Sequence, residues 1–205
     1  MAKTSFLTFS LLALLAFPAG AQTPAEPKPA DPAPAVKPAP AGPRVALETT
    51  KGKIVIELNK AKAPITVDNF LKYVDAGYYN GVIFHRVINN FMIQAGGVNF
   101  AGDAKTPNAP IKNESDNGLT NDRGTIAMAR TSAPDSASAQ FFINTVDNAS
   151  LNHKGKGQWG YAVFGKVVEG MDVVDAIGRS QTSKQNGVPD MPVEKIIIKK
   201  ASRVP

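Results

Sequence analysis

The chain has 205 residues and no cysteine, and its 23 basic against 17 acidic side chains give a formal net charge of +6. The missing cysteines exclude disulfides, thiolate metal sites and cysteine nucleophiles. The lysines and arginines are scattered and do not alternate with exposed aromatic residues, so nucleic-acid binding is not expected.

The first 21 residues, "MAKTSFLTFSLLALLAFPAGA", combine a basic Lys3, an apolar run and small residues at Ala19 and Ala21. This is the pattern of a secretory signal peptide. The apolar run is shorter than the roughly 20 residues needed to span a bilayer. We therefore expect residues 1–21 to be a signal peptide cleaved after Ala21, with an uncleaved anchor as the alternative. The mature protein should be periplasmic, or else secreted, without stable membrane insertion.

Residues 22–43, "QTPAEPKPADPAPAVKPAPAGP", hold eight of the sixteen prolines and no aromatic residue. Such a segment cannot bury a core and favours extended polyproline II. We expect a disordered Pro/Ala-rich linker that acts as a spacer. One folded domain is then expected over residues 44–205.

The domain begins with "RVALETT" and "KIVIELN", two strand-like segments on either side of Lys51-Gly52, which predict a β-hairpin. A helix is predicted next, in "APITVDNFLKYVDAGYY". Pro64 lies near its start, and four apolar residues follow at helical spacing: Val67, Phe70, Leu71 and Val74.

Further strand-like segments are "GVIFHRVI", "FMIQAG", "GTIAMAR", "QFFINT", "YAVFGKVV" and "VEKIIIKKA", with a second short helix in "GMDVVDAI". The stretch from about Asn99 to Arg123 is rich in Asn, Asp, Gly and Pro and is expected to be a loop. Seven or eight short strands with two helices predict a mainly β fold, a closed antiparallel β-barrel with capping helices.

Familiar catalytic motifs are missing from this sequence. Its two histidines, His85 and His153, belong to no H-E-x-x-H pair, and there is no G-x-S-x-G elbow, P-loop or G-x-G-x-x-G turn. Hydrolysis by a serine triad and a zinc site therefore have little support, and we expect no metal and no cofactor. His85 is expected to be a packed structural residue on the face opposite Arg86.

Arg86 and Gln94 remain as candidates, set among bulky apolar residues in "FHRVINNFMIQAGG". Met92 and Gln94 are two residues apart, so they share one face of a strand. Gln140 adds a second amide at the edge of the aromatic pair in "AQFFINT". One interpretation is that Arg86 is an ordinary strand residue in an ion pair. The other is that these residues form a shallow apolar pocket fringed by hydrogen-bonding groups, a kind of site that binds a peptide side chain.

The segments "IFHRVINNFMIQAGG", "PIKNESDNGLTNDRGTIAMARTSAPDSASAQFFINTVDN" and "WGYAVFGKVVEGMDVVDAI" resemble the cyclophilin-type peptidyl-prolyl cis/trans isomerases, particularly the bacterial branch. The resemblance covers nearly all of residues 44–205. It implies a closed eight-stranded antiparallel β-barrel capped by two α-helices. It also implies isomerase activity on proline-containing peptides and unfolded exported proteins, in a monomer.

The same resemblance implies roles for individual residues. Arg86 and Gln94 match the catalytic arginine and the glutamine that hydrogen-bonds the substrate backbone. The substrate-binding positions of the family are matched by Phe91, Met92, Ala129, Arg130, Gln140, Phe142, Leu151 and Tyr161. Residue 130 is expected to act largely through its backbone.

Two positions depart from the eukaryotic members of the family. Ser150 replaces a tryptophan that donates to cyclosporin, and Tyr161 replaces a pocket histidine. We therefore expect weak cyclosporin binding, unless Trp159 takes the place of the missing ring.

Two other functions are compatible with these residues. One is a proline-segment-binding chaperone or scaffold, in which isomerisation would be incidental. The other is a secreted structural protein, a hypothesis that only the Pro/Ala-rich linker supports. A mere binder has no need of the Arg86 cation, which favours the enzyme.

Overall fold

The computed structural model describes residues 42–185 and 187–205. The predicted signal peptide and nearly all of the predicted linker lie outside the described residues. The helices are α1 (Pro64–Asp75) and α2 (Met171–Gly178), with a short 3-10 helix at Ala149–Leu151. The strands are β1 (Arg44–Thr49), β2 (Gly52–Leu58), β3 (Val82–Ile83), β4 (Arg86–Ile88), β5 (Met92–Ala95), β6 (Thr125–Met128), β7 (Phe141–Asn144), β8 (Val163–Glu169), β9 (Thr182–Gln185), β10 (Val188–Pro192) and β11 (Ile197–Val204).

Nine of these strands form one antiparallel sheet in the order β3-β11-β1-β2-β8-β6-β7-β5-β4. The sheet curls into a half-barrel that is not closed, since β3 and β4 are its two free edges. The prediction of a mainly β fold with two helices is confirmed. The prediction of a closed barrel with eight strands is wrong in both closure and count.

The reason lies in the segment "GVIFHRVI", which was expected to be one strand. Its first part, β3, pairs with β11, whereas its second part, β4, pairs with β5. Between them, the N–H of Phe84 donates to the carbonyl of Ile196, and the N–H of His85 donates to the carbonyl of Gln94. The chain thus changes partner at residues 84–85, and the ladder is interrupted where a continuous strand would have joined the two edges.

Strands β9 and β10 form a separate two-stranded sheet that was not predicted. This hairpin lies against β4, the edge strand that carries Arg86. It brings Asp190, which has a positive φ of 59°, close to the arginine.

The sheet is covered on both faces at β7, one of the strands that carry the candidate residues. All four residues of β7 are buried. Phe141 and Ile143 belong to the main hydrophobic core, whereas Phe142 belongs to a second, smaller cluster with Met92. Because side chains alternate along a strand, β7 has apolar residues on both faces.

Helix α1 packs on the main core as its sequence predicts. Val67, Phe70, Leu71 and Val74 are buried, and the ring of Phe70 lies 5.2 Å from that of Phe164. The helix starts at Pro64, and its first free N–H groups, those of Ile65 and Thr66, donate to the Glu114 carboxylate at 3.1 and 2.8 Å. An acidic partner at a helix N-terminus satisfies unpaired donors and the helix dipole. Neither helix of the described chain is long and apolar enough to cross a membrane.

Candidate functional site

A row of side chains crosses the sheet on the face opposite the main core. Arg86 of β4 is paired with Gln94 of β5, Gln94 with Phe142 of β7, and Phe142 with Ala127 of β6. Directly opposed residues of an antiparallel pair project to the same face. The cation and the amide therefore stand side by side, next to an aromatic ring.

This row borders a cavity of about 220 Å³. Nine of the ten site residues predicted from the sequence line it: Arg86, Phe91, Met92, Gln94, Ala129, Arg130, Phe142, Leu151 and Tyr161. The tenth, Gln140, is not part of the lining and accepts a hydrogen bond from Gln94. The apolar part of the cavity is held by Met92 and Phe142, which are 2% and 4% exposed.

Arg86 is half-exposed and faces both the cavity and the β9–β10 hairpin. Its Nε lies 3.7 Å from Oδ2 of Asp190, and the two side chains are 41% and 39% exposed. The separation is beyond hydrogen-bond reach, and exposed ion pairs contribute only about 0–1 kcal/mol. The pair is therefore a weak restraint on the guanidinium.

Gln94 is oriented by the second amide. Its Nε2 donates to Oε1 of Gln140 at 2.8 Å. A Cβ on Gly97 would stand 2.6 Å from Nε2 of Gln140, so this glycine leaves the space that the Gln140 side chain occupies. The repeated glycine in "MIQAGG" was a sequence signal for this close approach.

Phe91 lies in a turn and Leu151 at the end of the short 3-10 helix, and buried asparagines hold both segments in place. Nδ2 of Asn148 donates to the Phe91 carbonyl at 2.8 Å and to Oδ1 of Asn144 at 2.7 Å. Nδ2 of Asn121 donates to the Leu151 carbonyl at 3.2 Å. No sequence signal singled out Asn121 and Asn148, because an asparagine in a loop-like stretch is typical of a turn.

His85 is 8% exposed and does not line the cavity. Burial lowers the pKa of its imidazole, because the charged form would lose its solvation. A neutral, packed histidine fits the expected structural role.

Trp159, whose direction the sequence left open, packs against His153 with the ring centroids 5.3 Å apart. Its side chain is not part of the cavity lining. Ser150 is exposed. Within the described residues no group of three or more His, Cys, Asp or Glu side chains could hold a metal ion.

The sequence of the described domain matches a known protein family. The family model of the "Cyclophilin type peptidyl-prolyl cis-trans isomerase/CLD" matches residues 44–203. The chain belongs to the cyclophilin-type peptidyl-prolyl cis-trans isomerases.

Bacterial cyclophilins are highly similar to this one. "Peptidyl-prolyl cis-trans isomerase cyp18" of Streptomyces antibioticus is 57% identical over 159 residues, which are 77% of this chain and 96% of the relative. "Peptidyl-prolyl cis-trans isomerase B" of Escherichia coli K12 is 54% identical over 156 residues, 75% of this chain and 95% of the relative.

The fold is also found in a crystal structure of a Cryptosporidium parvum cyclophilin-type isomerase, determined in the presence of the dipeptide Ala-Pro. It has a TM-score of 0.66 and 28% sequence identity, and the match covers 79% of this chain and 99% of that one. The cyclophilin domain thus accounts for the described residues from β1 to β11. The roles of its individual side chains stay predictions.

Proposed function

We propose that this cyclophilin accelerates rotation about X-Pro peptide bonds at the cavity beside Arg86. One observation carries the proposal: Arg86 and Gln94 are directly paired across β4 and β5, at the edge of the apolar part of the cavity. This apolar part, which contains Phe142, is called the hollow below. The pairing puts one cation and one amide next to a surface that suits a pyrrolidine ring.

The reaction makes and breaks no covalent bond. An X-Pro bond interconverts slowly, because rotation must break the amide resonance, with a barrier of roughly 18–20 kcal/mol. At the twisted transition state the prolyl nitrogen loses its conjugation and regains a lone pair. A donor that meets this lone pair stabilises the twisted state more than either planar state, and only such differential binding accelerates the step.

Arg86 is suited to that role because a guanidinium is always charged and carries five donors. Its weak contact with Asp190 leaves these donors close to the hollow. Met92 and Phe142 would hold the pyrrolidine ring out of water, which strengthens the contact between cation and nitrogen. Gln94 uses one amide hydrogen for Gln140, and its carbonyl oxygen and second hydrogen remain to restrain the peptide backbone.

An exchange assay by NMR, or a protease-coupled assay, on an Ala-Pro peptide tests the proposal. Arg86→Ala should lower kcat by about 10²–10³-fold, the usual effect of removing one preorganised donor, with a much smaller change in KM. Asp190→Asn is the matched control, because it removes the ion pair and keeps the cation. It should change kcat by less than about threefold, since the pair is exposed.

The outcomes separate the alternatives. Equal losses in the two variants would mean that Arg86 matters as an ion-pair partner. Wild-type turnover in Arg86→Ala would refute the role of the cation. A wild-type protein that binds the peptide without turnover would be a chaperone or scaffold.

We also propose that the enzyme acts in the periplasm on exported proteins, whose slow proline steps can limit folding. The signal-peptide pattern of residues 1–21 supports this location. Fractionation of cells that express the full chain should recover the protein in the periplasm, and removal of residues 2–21 should retain it in the cytoplasm. Recovery from the medium would indicate secretion, and a cytoplasmic full chain would contradict export.

The Pro/Ala-rich segment is proposed to be a spacer without a part in catalysis. A chain that starts at Arg44 should therefore turn over small peptides as fast as the mature protein. A large loss of kcat/KM would contradict the spacer.

A further inference from the structure

Hydrogen bonds to backbone groups hold the segment that contains Tyr161. The carbonyl of Trp159 accepts a hydrogen bond from Nη2 of Arg130, and that of Gly160 accepts one from Nε of Arg130 at 3.1 Å. The N–H of Tyr161 donates to the carbonyl of Leu151 at 2.9 Å. Two pocket-lining residues, Leu151 and Tyr161, are thereby joined to each other and to Arg130.

The guanidinium of Arg130 also binds its own loop. Nη1 donates to the carbonyls of Thr131 at 2.8 Å and Ser132 at 3.3 Å. All three nitrogens are thus engaged, in two separate segments of the chain. A lysine ammonium is a single point of donation and cannot reproduce this planar fork.

The same guanidinium lies over the ring of Tyr161, with Cζ 4.8 Å from the ring centroid. The Tyr161 ring in turn meets the ring of Phe142 nearly edge-on, at a centroid distance of 5.5 Å and an angle of 80°. Cation–π and edge-to-face contacts both favour a defined ring orientation. The wall of the hollow is therefore oriented by contacts with Arg130 and Phe142.

We propose that Arg130 is a positioning residue that acts through the ring of Tyr161 and sets the width of the hollow for the pyrrolidine ring. The inference rests on the proposed isomerase function. It differs from the expected role of residue 130, which was to act largely through its backbone. Here the side chain shapes the site by bonding carbonyls and an aromatic ring, without touching the reacting bond.

A double-mutant cycle tests this inference with Arg130→Lys, Tyr161→Leu and the double variant, on the Ala-Pro peptide. Arg130→Lys should lower kcat/KM by about three- to tenfold, the size expected for loss of a partly desolvated cation–π contact. The loss should fall mainly on KM, because a misplaced wall weakens ground state and transition state alike. In the Tyr161→Leu background the same change should alter kcat/KM by less than about twofold.

Two further readouts exclude a merely structural role. Thermal unfolding of each variant shows whether the fold is intact at the assay temperature. The fluorescence of Trp159, the single tryptophan, reports on the segment that Arg130 holds. It should shift in Arg130→Lys and in the double variant, but much less in Tyr161→Leu.

If the two substitutions lowered kcat/KM independently, so that their effects multiplied in the double variant, the proposal would be overturned. Full activity of Arg130→Lys would overturn it as well. If the wild-type protein had no isomerase activity, the proposed function would fail separately. The cycle would then be measured as peptide affinity by NMR titration, where additive losses would again refute the role of Arg130.

Discussion

Asn148→Ala should be one of the more damaging single substitutions outside the main core. Asn148 is 7% exposed, and its Nδ2 donates to the Phe91 carbonyl at 2.8 Å and to Oδ1 of Asn144 at 2.7 Å. The Phe91 carbonyl would keep a second partner, the N–H of Thr145 at 3.0 Å. Oδ1 of Asn144, on a residue that is 0% exposed, would be left without one.

The magnitude follows from these two unequal losses. An unsatisfied buried acceptor costs about 1–3 kcal/mol, and the replaceable bond to Phe91 adds about 0.5–1.5 kcal/mol. We expect Asn148→Ala to lower the free energy of unfolding by about 2–4 kcal/mol, a large share of the 5–15 kcal/mol typical of a domain. KM should rise in the folded fraction, because the loop that carries Phe91 loses a restraint.

Urea unfolding followed by circular dichroism measures the change. Asn99→Ala is the matched control, since the Asn99 side chain also makes hydrogen bonds, here with Oδ1 accepting from the N–H groups of Gly102 and Asp103 at the surface. It should cost less than about 1 kcal/mol, because water replaces the lost bonds. A loss in Asn148→Ala no greater than in the control would refute the reasoning.

The other predictions concern a glycine, a histidine and an inhibitor. Gly96 has a φ of 99°, and a Cβ there would lie 2.5 Å from the carbonyl oxygen of Ala139. Gly81 has a φ of 76°, but the space around it is open. Gly96→Ala should therefore lower the melting temperature far more than Gly81→Ala. Because burial lowers the pKa of His85 below its usual 6.5, the unfolded chain binds more protons as the pH falls below that value. Stability should therefore decrease there, by at most about 1.4 kcal/mol per pH unit, and His85→Asn should flatten this slope in unfolding measured from pH 7.5 to 5. Cyclosporin should inhibit weakly, since Ser150 offers no indole, and nanomolar inhibition in the peptide assay would contradict this expectation.

Local sequence patterns predicted the elements with strong periodicity. The hairpin of β1 and β2 and the two helices are confirmed, and the apolar face of α1 is the one that is buried. Barrel closure was not predictable from the apolar run "GVIFHRVI". Hydrophobicity marks Phe84 as buried, but it does not tell which neighbouring strand receives the N–H groups of Phe84 and His85.

The hairpin of β9 and β10 was missed for a different reason. "TSKQ" and "VPDMP" have little apolar alternation, and two prolines weaken a strand prediction. The only local signal was Asn186-Gly187, a pair that favours a two-residue hairpin turn. The contact of Asp190 with Arg86 depends on that hairpin, so it could not be predicted without it.

The pairing of Arg86 with Gln94 was easier to predict from the sequence. Arg86 and Gln94 are equally far from Asn90, which has a positive φ of 55° in the turn between β4 and β5. Asparagine tolerates this conformation better than most residues. An antiparallel pairing about Asn90 would have set the two side chains opposite each other without any appeal to resemblance.

The aromatic residues around the hollow divide into two kinds, which are held in place in different ways. Phe142 lies on a strand that is packed on both faces, so its position follows from the sheet itself. Phe91 and Tyr161 lie outside the strands, and each is held by a polar side chain from elsewhere in the sequence, Asn148 for the first and Arg130 for the second. Because Asn148 and Arg130 contact the backbone and rings of other residues, changes in them should alter affinity for the proline ring more than the rate of rotation. Sequence resemblance predicts which residues contact the substrate, whereas the hydrogen bonds of the folded chain reveal those that hold these residues in place.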